Sequence, residues 1–390
     1  MSVALSDALT ELARTGEGPA AWLAARATAA ARAGAASLPT AEEEIWRYSR
    51  IGQLDLARFA PGRPGALDSV AVSGPRQLLV DATEADVELL GSVAVAADLF
   101  TDLNSATSRP MVVRVPAGQT FTEPLVLRHE VRADGVLVCP RLFVEAGPDS
   151  EITIVERFVG DHDALVSAVV ELRAHPAARL RYLAVNELGR QAWLVAHQAG
   201  TADRDATLTL ATVAFGGDYA RTRTECRLVG QGAHADQLGV SFGEGSQMHD
   251  LRVLQEHVAP RTTSNLLFKG AVQDSSRSVY TGLIKIGPDA RGANAFQTNR
   301  NLKLSEHAWA ESVPNLDIET NDVRCSHAST VGPVDPDQRF YLESRGVPPH
   351  VADRLIVLGF FDEVLARLPD PSFGAELHAA VAAKLDRQAS

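Results

Sequence analysis

The spacing of apolar and polar positions divides the chain into three stretches, 1–105, 106–333 and 334–390. In the first, "GPAAWLAARATAAARAGAAS" (18–37) is dense in alanine and arginine, both strong helix formers, and predicts a helix. "LPTAEEEIWRYSR" (38–50) predicts another, because Thr40 precedes Glu43 by the spacing of a capping box. Beyond Asp55, "PGRPG" (61–65) marks loop, and short apolar strands mixed with turns follow. From about residue 110 the period shortens. "MVVRVPAG", "EPLVLRHEV", "RLFVEAG", "SEITIVERFVG" and "LVSAVVELRAH" are rich in valine and isoleucine and often alternate apolar with polar, which predicts strands.

A metre then emerges. Strand-like segments begin near Glu225, Leu238, Asp250, Ser264, Ser278, Ala293 and Ala308, at steps of 13, 12, 14, 14, 15 and 15 residues. Two strands per repeat of that size suit a β-sandwich or a β-solenoid. Tight hairpins favour Asn-Gly and Asp-Gly, and neither dipeptide occurs between 225 and 328. The expectation is therefore a mainly β chain with a parallel β-helix core flanked by helical N-terminal and C-terminal domains. In the third stretch, Asp335 is suited to cap a helix with Pro336 at its first position, Gln338 completing a capping box and Gly346 ending it. "PPHVADRLIVLGFFDEVLARLPDP" predicts two short helices parted near Gly359, and "SFGAELHAAVAAKLDRQ" one more.

Composition narrows the function. Thirty-seven Lys and Arg against 49 Asp and Glu give a net charge of −12, which disfavours nucleic acid and anionic lipid as partners. No apolar run is long enough to span a bilayer. "MSVALSDALTELARTGEG" lacks a basic region followed by an apolar core, so the expected compartment is the cytoplasm, where thiols stay reduced. "GQGAHA" (230–235) formally fits a dinucleotide fingerprint, but strand-like sequence follows it instead of a helix. P-loop and HExxH motifs are absent.

Candidate chemistry lies in "NDVRCSHASTVG" (321–332). The cysteines Cys139, Cys226 and Cys325 form no CxxC pair, so a self-contained metal site is not expected. On a strand, Cys325 and His327 share a face, and a thiolate beside an imidazole is a two-point ligand suited to iron or zinc. The competing reading makes Cys325 a core hydrophobe and His327 a surface residue. Shared facing works against it, since burying one buries the other; both facing outward toward another chain is easier. His249 and His257 are eight apart, too far to chelate one ion, and read as structural or interfacial. Asp317 and Glu319 would also share a face. Paired acids on a β-helix occur in polysaccharide-cleaving enzymes, which makes a carbohydrate-active enzyme the alternative.

The run "TNRNLKLSEHAWAESVPNLDIETNDVRCSHASTVGPVDPDQRFYLESRG" resembles the C-terminal signature of the SufB/SufD family of iron–sulfur cluster assembly proteins, and its "DV-CSHAST-G" and "FYLESRG" elements are closer to the SufD type than to the SufB type. "LPTAEEEIWRYS" and "LRVLQEHVAPRTTSNLLFKGAVQDSSRSVYTGLIKI" extend the resemblance over about residues 38 to 368. The resemblance implies a right-handed parallel β-helix and a non-catalytic scaffold. That scaffold would pair with a SufB-like paralogue, bind a SufC-like ATPase, and form a homodimer when alone. It implies that Cys325 and His327 meet the paralogue and help receive iron or hold a transient iron–sulfur cluster. It implies that the segment after 334, with Asp335, Phe340, Tyr341, Arg345, Leu355, Phe360 and Phe361, docks the ATPase. Reduced flavin is associated with such complexes, though no flavin motif is legible here. SufB-type chains carry an upstream cysteine and a glutamate after the histidine; here no cysteine lies between 227 and 324, and Ala328 follows His327. Iron handling is thus the expectation for this chain, rather than sulfur acceptance.

Overall fold

A computed structural model describes residues 7–11, 20–94 and 98–388; much of the N-terminal stretch read for a signal lies outside them. The strand metre becomes a parallel β-helix with two strands per coil. Successive strands alternate between an eleven-stranded and a nine-stranded sheet, so each strand pairs with its counterpart one coil away. Glu151, Arg179, Thr207, His234, Thr263, Asn294 and Arg324 form one column of Cα partners, giving coils of 27 to 31 residues. Corners need no hairpin. At one corner a left-handed residue turns each coil, at Asp149, Ala177, Asp205, Gly232, Arg261 and Gly292, with φ between +56° and +74°.

The first coil is closed by strands of opposite direction. Leu67–Ser73 pairs antiparallel with Leu125–Val131, and Leu79–Asp81 antiparallel with Met111–Val115. Between the sheets, inward columns such as Ile152, Leu180, Leu208 and Ala235 are fully buried. Outer faces are covered too. The helix Ala20–Ala35, the helix Leu99–Thr107 and the segment 46–59 pack on the eleven-stranded sheet over Leu165, Trp193, Tyr219 and Met248. The helices Pro349–Leu365 and Pro371–Gln388 pack on the nine-stranded sheet over Val185, Val213, Val240 and Leu267. Burial on both faces explains the unbroken apolar runs of the central strands; in Ala164–Ala174 every residue except Arg173 is buried.

Three expectations are corrected. "LPTAEEEIWRYSR" yields only a 3-10 turn, Glu44–Trp46. The Thr40 amide donates to Glu43 Oε1 at 2.9 Å, half of the capping box, but Tyr48 at φ +65° bars continuation of the helix. Instead the segment becomes a strap: the Trp46 ring lies 3.9 Å from the Arg221 guanidinium, and Arg221 and Arg252 donate to the Ile45 and Arg47 carbonyls. Both arginines share the fully buried Asp250, which leaves no buried charge unpaired. Next, the helix beginning at Pro349 runs through Gly359 unbroken to Leu365. Lysine 269 reaches up from the sheet to the Phe360 carbonyl (2.6 Å) and Glu363 (2.7 Å), pinning the helix just past that glycine. Finally, Asp335 caps its helix by accepting from the Asp337 and Gln338 amides, with Pro336 first, but the Gln338 side chain does not close a capping box. Gly346 at φ +85° ends the helix one residue past Arg345, as expected.

Candidate metal and partner interface at the last coil

The β-helix ends on two strands, Trp309–Ile318 and Val323–Gly332, each hydrogen-bonded to a neighbour on one side only. Their other edges present unpaired backbone groups, the condition under which a strand accepts another chain. Cys325 and His327 lie on the second of these edges.

Register fixes which way they face. Cys325 is the Cα partner of Ala295, which continues the column Ser264, Ala235, Leu208, Leu180. His327 is the partner of Gln297, above Leu266, Gln237, Leu210 and Tyr182. Both columns are interior. The two side chains thus share a face, as alternation requires, but that face is the inside of the coil and not its outer wall. They are reachable because nothing stacks on the last coil. Cys325 is half-buried and packs with Leu316 and Val323 against the last core cluster, whereas His327 is exposed. Across the opening, Ser329 Oγ donates to Ser312 Oγ at 2.7 Å and ties the two final strands.

Partial burial raises the Cys325 thiol above its ordinary range, so binding of a soft cation must displace the thiol proton. The other thiols are of another kind: both are buried, and burial pushes Cys139 and Cys226 up to about 12. Among the described residues no three His, Cys, Asp or Glu side chains gather as metal ligands. Cys325 and His327 therefore offer two ligands of a site that another molecule must complete.

Other candidates separate cleanly. His249 and His257 are buried, and both serve the fold. His249 Nε2 bonds the Gly216 carbonyl, and His257 bridges Thr262 and Ser264 at 2.7 and 2.8 Å. Asp317 and Glu319 are exposed at the rim, and no cleft forms about them among the cavities described. Next to the last coil, Phe340, Tyr341 and Leu355 are 71%, 58% and 50% exposed. Arg345 stacks on Tyr341, and Arg339 joins the two helices through Asp353 at 2.6 Å. Asp337, Gln338, Tyr341, Leu342 and Ile356 line an open groove between them. Phe361 departs from the interface expectation: it is fully buried against Phe242, and Phe360 is half-covered beside Lys269. Helical phase turns Phe361 toward the sheet, so it anchors the helix instead of meeting a partner. Sequence reading passed over Gln297 and Ser312. Subtracting one coil length from His327 would have found Gln297.

Residues 129–360 match the family model described as SUF system FeS cluster assembly, SufBD core domain. Fold and match together define an assembly protein of iron–sulfur cluster biogenesis built on a parallel β-helix. A SufBD family protein of Mycobacterium tuberculosis is 33% identical over 369 residues, covering 90% of each chain. Escherichia coli SufD is 28% identical over 379 residues, with 89% of each chain covered. Bacillus subtilis SufD is 31% identical over 259 residues, 65% of this chain and 59% of that one. This chain belongs to the SufBD family of iron–sulfur cluster assembly proteins. Among the described residues no helix is long and apolar enough to cross a membrane.

Proposed function

We propose that this chain is a SufD-type, non-catalytic scaffold subunit of a cytoplasmic complex with a SufB-like paralogue and a SufC-like ATPase. The observation that supports it best is the pairing of Cys325 and His327 on an uncapped coil whose two edge strands have free backbone. A paralogue docked on those edges would extend both sheets and bring the missing ligands over the opening. Iron, or a nascent cluster, is then the cargo held between chains. An incomplete ligand set on each side suits a site that must give its contents away, because a closed set of thiolates would retain them.

In this reading residues 1–105 brace the coil stack, 106–333 form the scaffold, and 334–390 dock the ATPase through Phe340, Tyr341, Arg345 and Leu355. Asp335 holds the first docking helix in place by its cap. A nucleotide-driven movement of those helices would be felt at the last coil, to which residues 333–335 join them directly. Without its paralogue, the same free edges would accept a second copy of this chain. No flavin site is assigned to this chain.

The test is co-expression of the three subunits followed by anaerobic iron and sulfide counts on the purified complex. Cys325→Ser and His327→Ala should each leave the complex assembled and empty it of most iron. An assembled complex with full iron and sulfide in both variants would sink the assignment.

A further inference from the structure

Just beneath the opening, the penultimate coil carries polar groups that neither packing nor the family reading employs. Gln297 is 1% exposed, and both atoms of its amide lack a hydrogen-bond partner. Tyr280 is also 1% exposed, and its hydroxyl has none. The two groups converge. A Cβ built on Gly282 would stand 2.3 Å from Gln297 Nε2 and 2.6 Å from the Tyr280 oxygen, so only glycine leaves the space between them open. Leaving a buried polar atom unpaired costs about 1–3 kcal/mol, and native chains keep such atoms where a functional role, an ordered water or an ion accounts for them.

Register identifies the partner. Gln297 and His327 are Cα partners on adjacent parallel strands, which lie about 4.8 Å apart, and both side chains project into the coil. Stacked above Gly282 is Pro314, which has no side-chain donor or acceptor. Above Tyr280 is Ser312, already joined to Ser329. His327 is therefore the ring nitrogen source positioned over the unpaired amide, and it is free to turn because it is exposed in the isolated chain.

We propose that Gln297 and Tyr280 are positioning residues that seat the imidazole of His327 once a partner covers the opening. Gln297 Nε2 donates to the Tyr280 oxygen, which turns Oε1 to accept the ring N–H of His327. The other ring nitrogen then carries its lone pair toward the side of Cys325, ready for iron. Fixing the tautomer through the far nitrogen is how outer groups tune a histidine ligand, and losing such a group typically costs 10–100-fold in metal affinity. This inference rests on the proposed role of His327, and the experiment separates the two.

Ferrous ion is titrated anaerobically into the co-expressed three-subunit complex, with the thermal midpoint of each variant recorded in parallel. Gln297→Leu should weaken iron binding by about 10–100-fold while leaving the midpoint unchanged or higher, since it removes unpaired polar atoms from the interior. Gln297→Glu, which keeps an acceptor, should restore much of the affinity. In a His327→Ala background, Gln297→Leu should have no further effect. Tyr280→Phe removes one hydroxyl without altering the packing, and should give a smaller loss in the same direction. If His327→Ala weakens iron binding and Gln297→Leu does not, the positioning role is wrong and the proposed function stands. If neither variant matters, both fall. A parallel loss of midpoint and affinity in Gln297→Leu, unrelieved by Gln297→Glu, would make Gln297 a packing residue only.

Discussion

The middle of the β-helix and its last coil are built on the same columns, yet they have opposite characters. Leu180, Leu208, Ala235, Ser264 and Ala295 are fully buried, while Cys325, next in that column, is half-exposed. Central strands are covered outside by helices and inside by their opposite sheet; most of Val323–Gly332 is open to solvent. Nothing about the backbone changes between the two regions. What changes is the number of neighbours, since a terminal coil lacks one stacking partner. A repeat that would make core anywhere else makes a ligand-bearing rim where the repeats stop.

The contrast can be broken by mutation. The largest effect is expected in the middle, at Asp250. Asp250→Ala leaves Arg221 and Arg252 as buried cations without a counter-charge, which should cost about 3–5 kcal/mol in denaturant unfolding and release the strap at Ile45 and Arg47. Leu208→Ala, in the Cys325 column, should cost about 2–5 kcal/mol by loss of burial plus a cavity. Acid should act on the middle as well. Burial and the nearby Lys384 cation lower His249 to about 3, and burial lowers His257 to about 4. Both rings are neutral in the fold but take up protons near pH 6.5 when unfolded, so stability is full above that value and is lost as pH falls toward the folded values. Each contributes up to about 1.4 kcal/mol per pH unit in that window. Urea midpoints between pH 7 and 4.5 should show the decline, with a shallower slope in His257→Gln. At the rim the stability effects should shrink. Cys325→Ser should cost about 1 kcal/mol or less, and His327→Ala about 0.5 kcal/mol or less, although both should empty the complex of iron. A rim substitution as damaging as Leu208→Ala would erase the distinction.

Much of this was readable beforehand. The step of 12 to 15 residues between strand starts, with hairpin dipeptides missing, announced stacked coils, and alternation put Cys325 and His327 on one face. Which face was not readable. That depends on register against Ala295 and Gln297, and register is a long-range property that a single strand does not encode. The burial of Phe361 and the unbroken helix through Gly359 were hidden for a similar reason, because Lys269, distant in sequence, supplies the contact that decides them. The strap at Trp46 looked helical because propensity and capping spacing are local signals, whereas its conformation is set by Arg221 and Arg252 far along the chain.

Strand direction at the two extremities has a further consequence for assembly. One extremity is sealed by Leu67–Ser73 and Leu79–Asp81 running against their neighbours, and the other is bare. A coil stack bare at both extremities could add copies head to tail without limit and grow into fibres. With a single bare extremity, joining two molecules there consumes the adhesive surface of each, so growth halts at a pair.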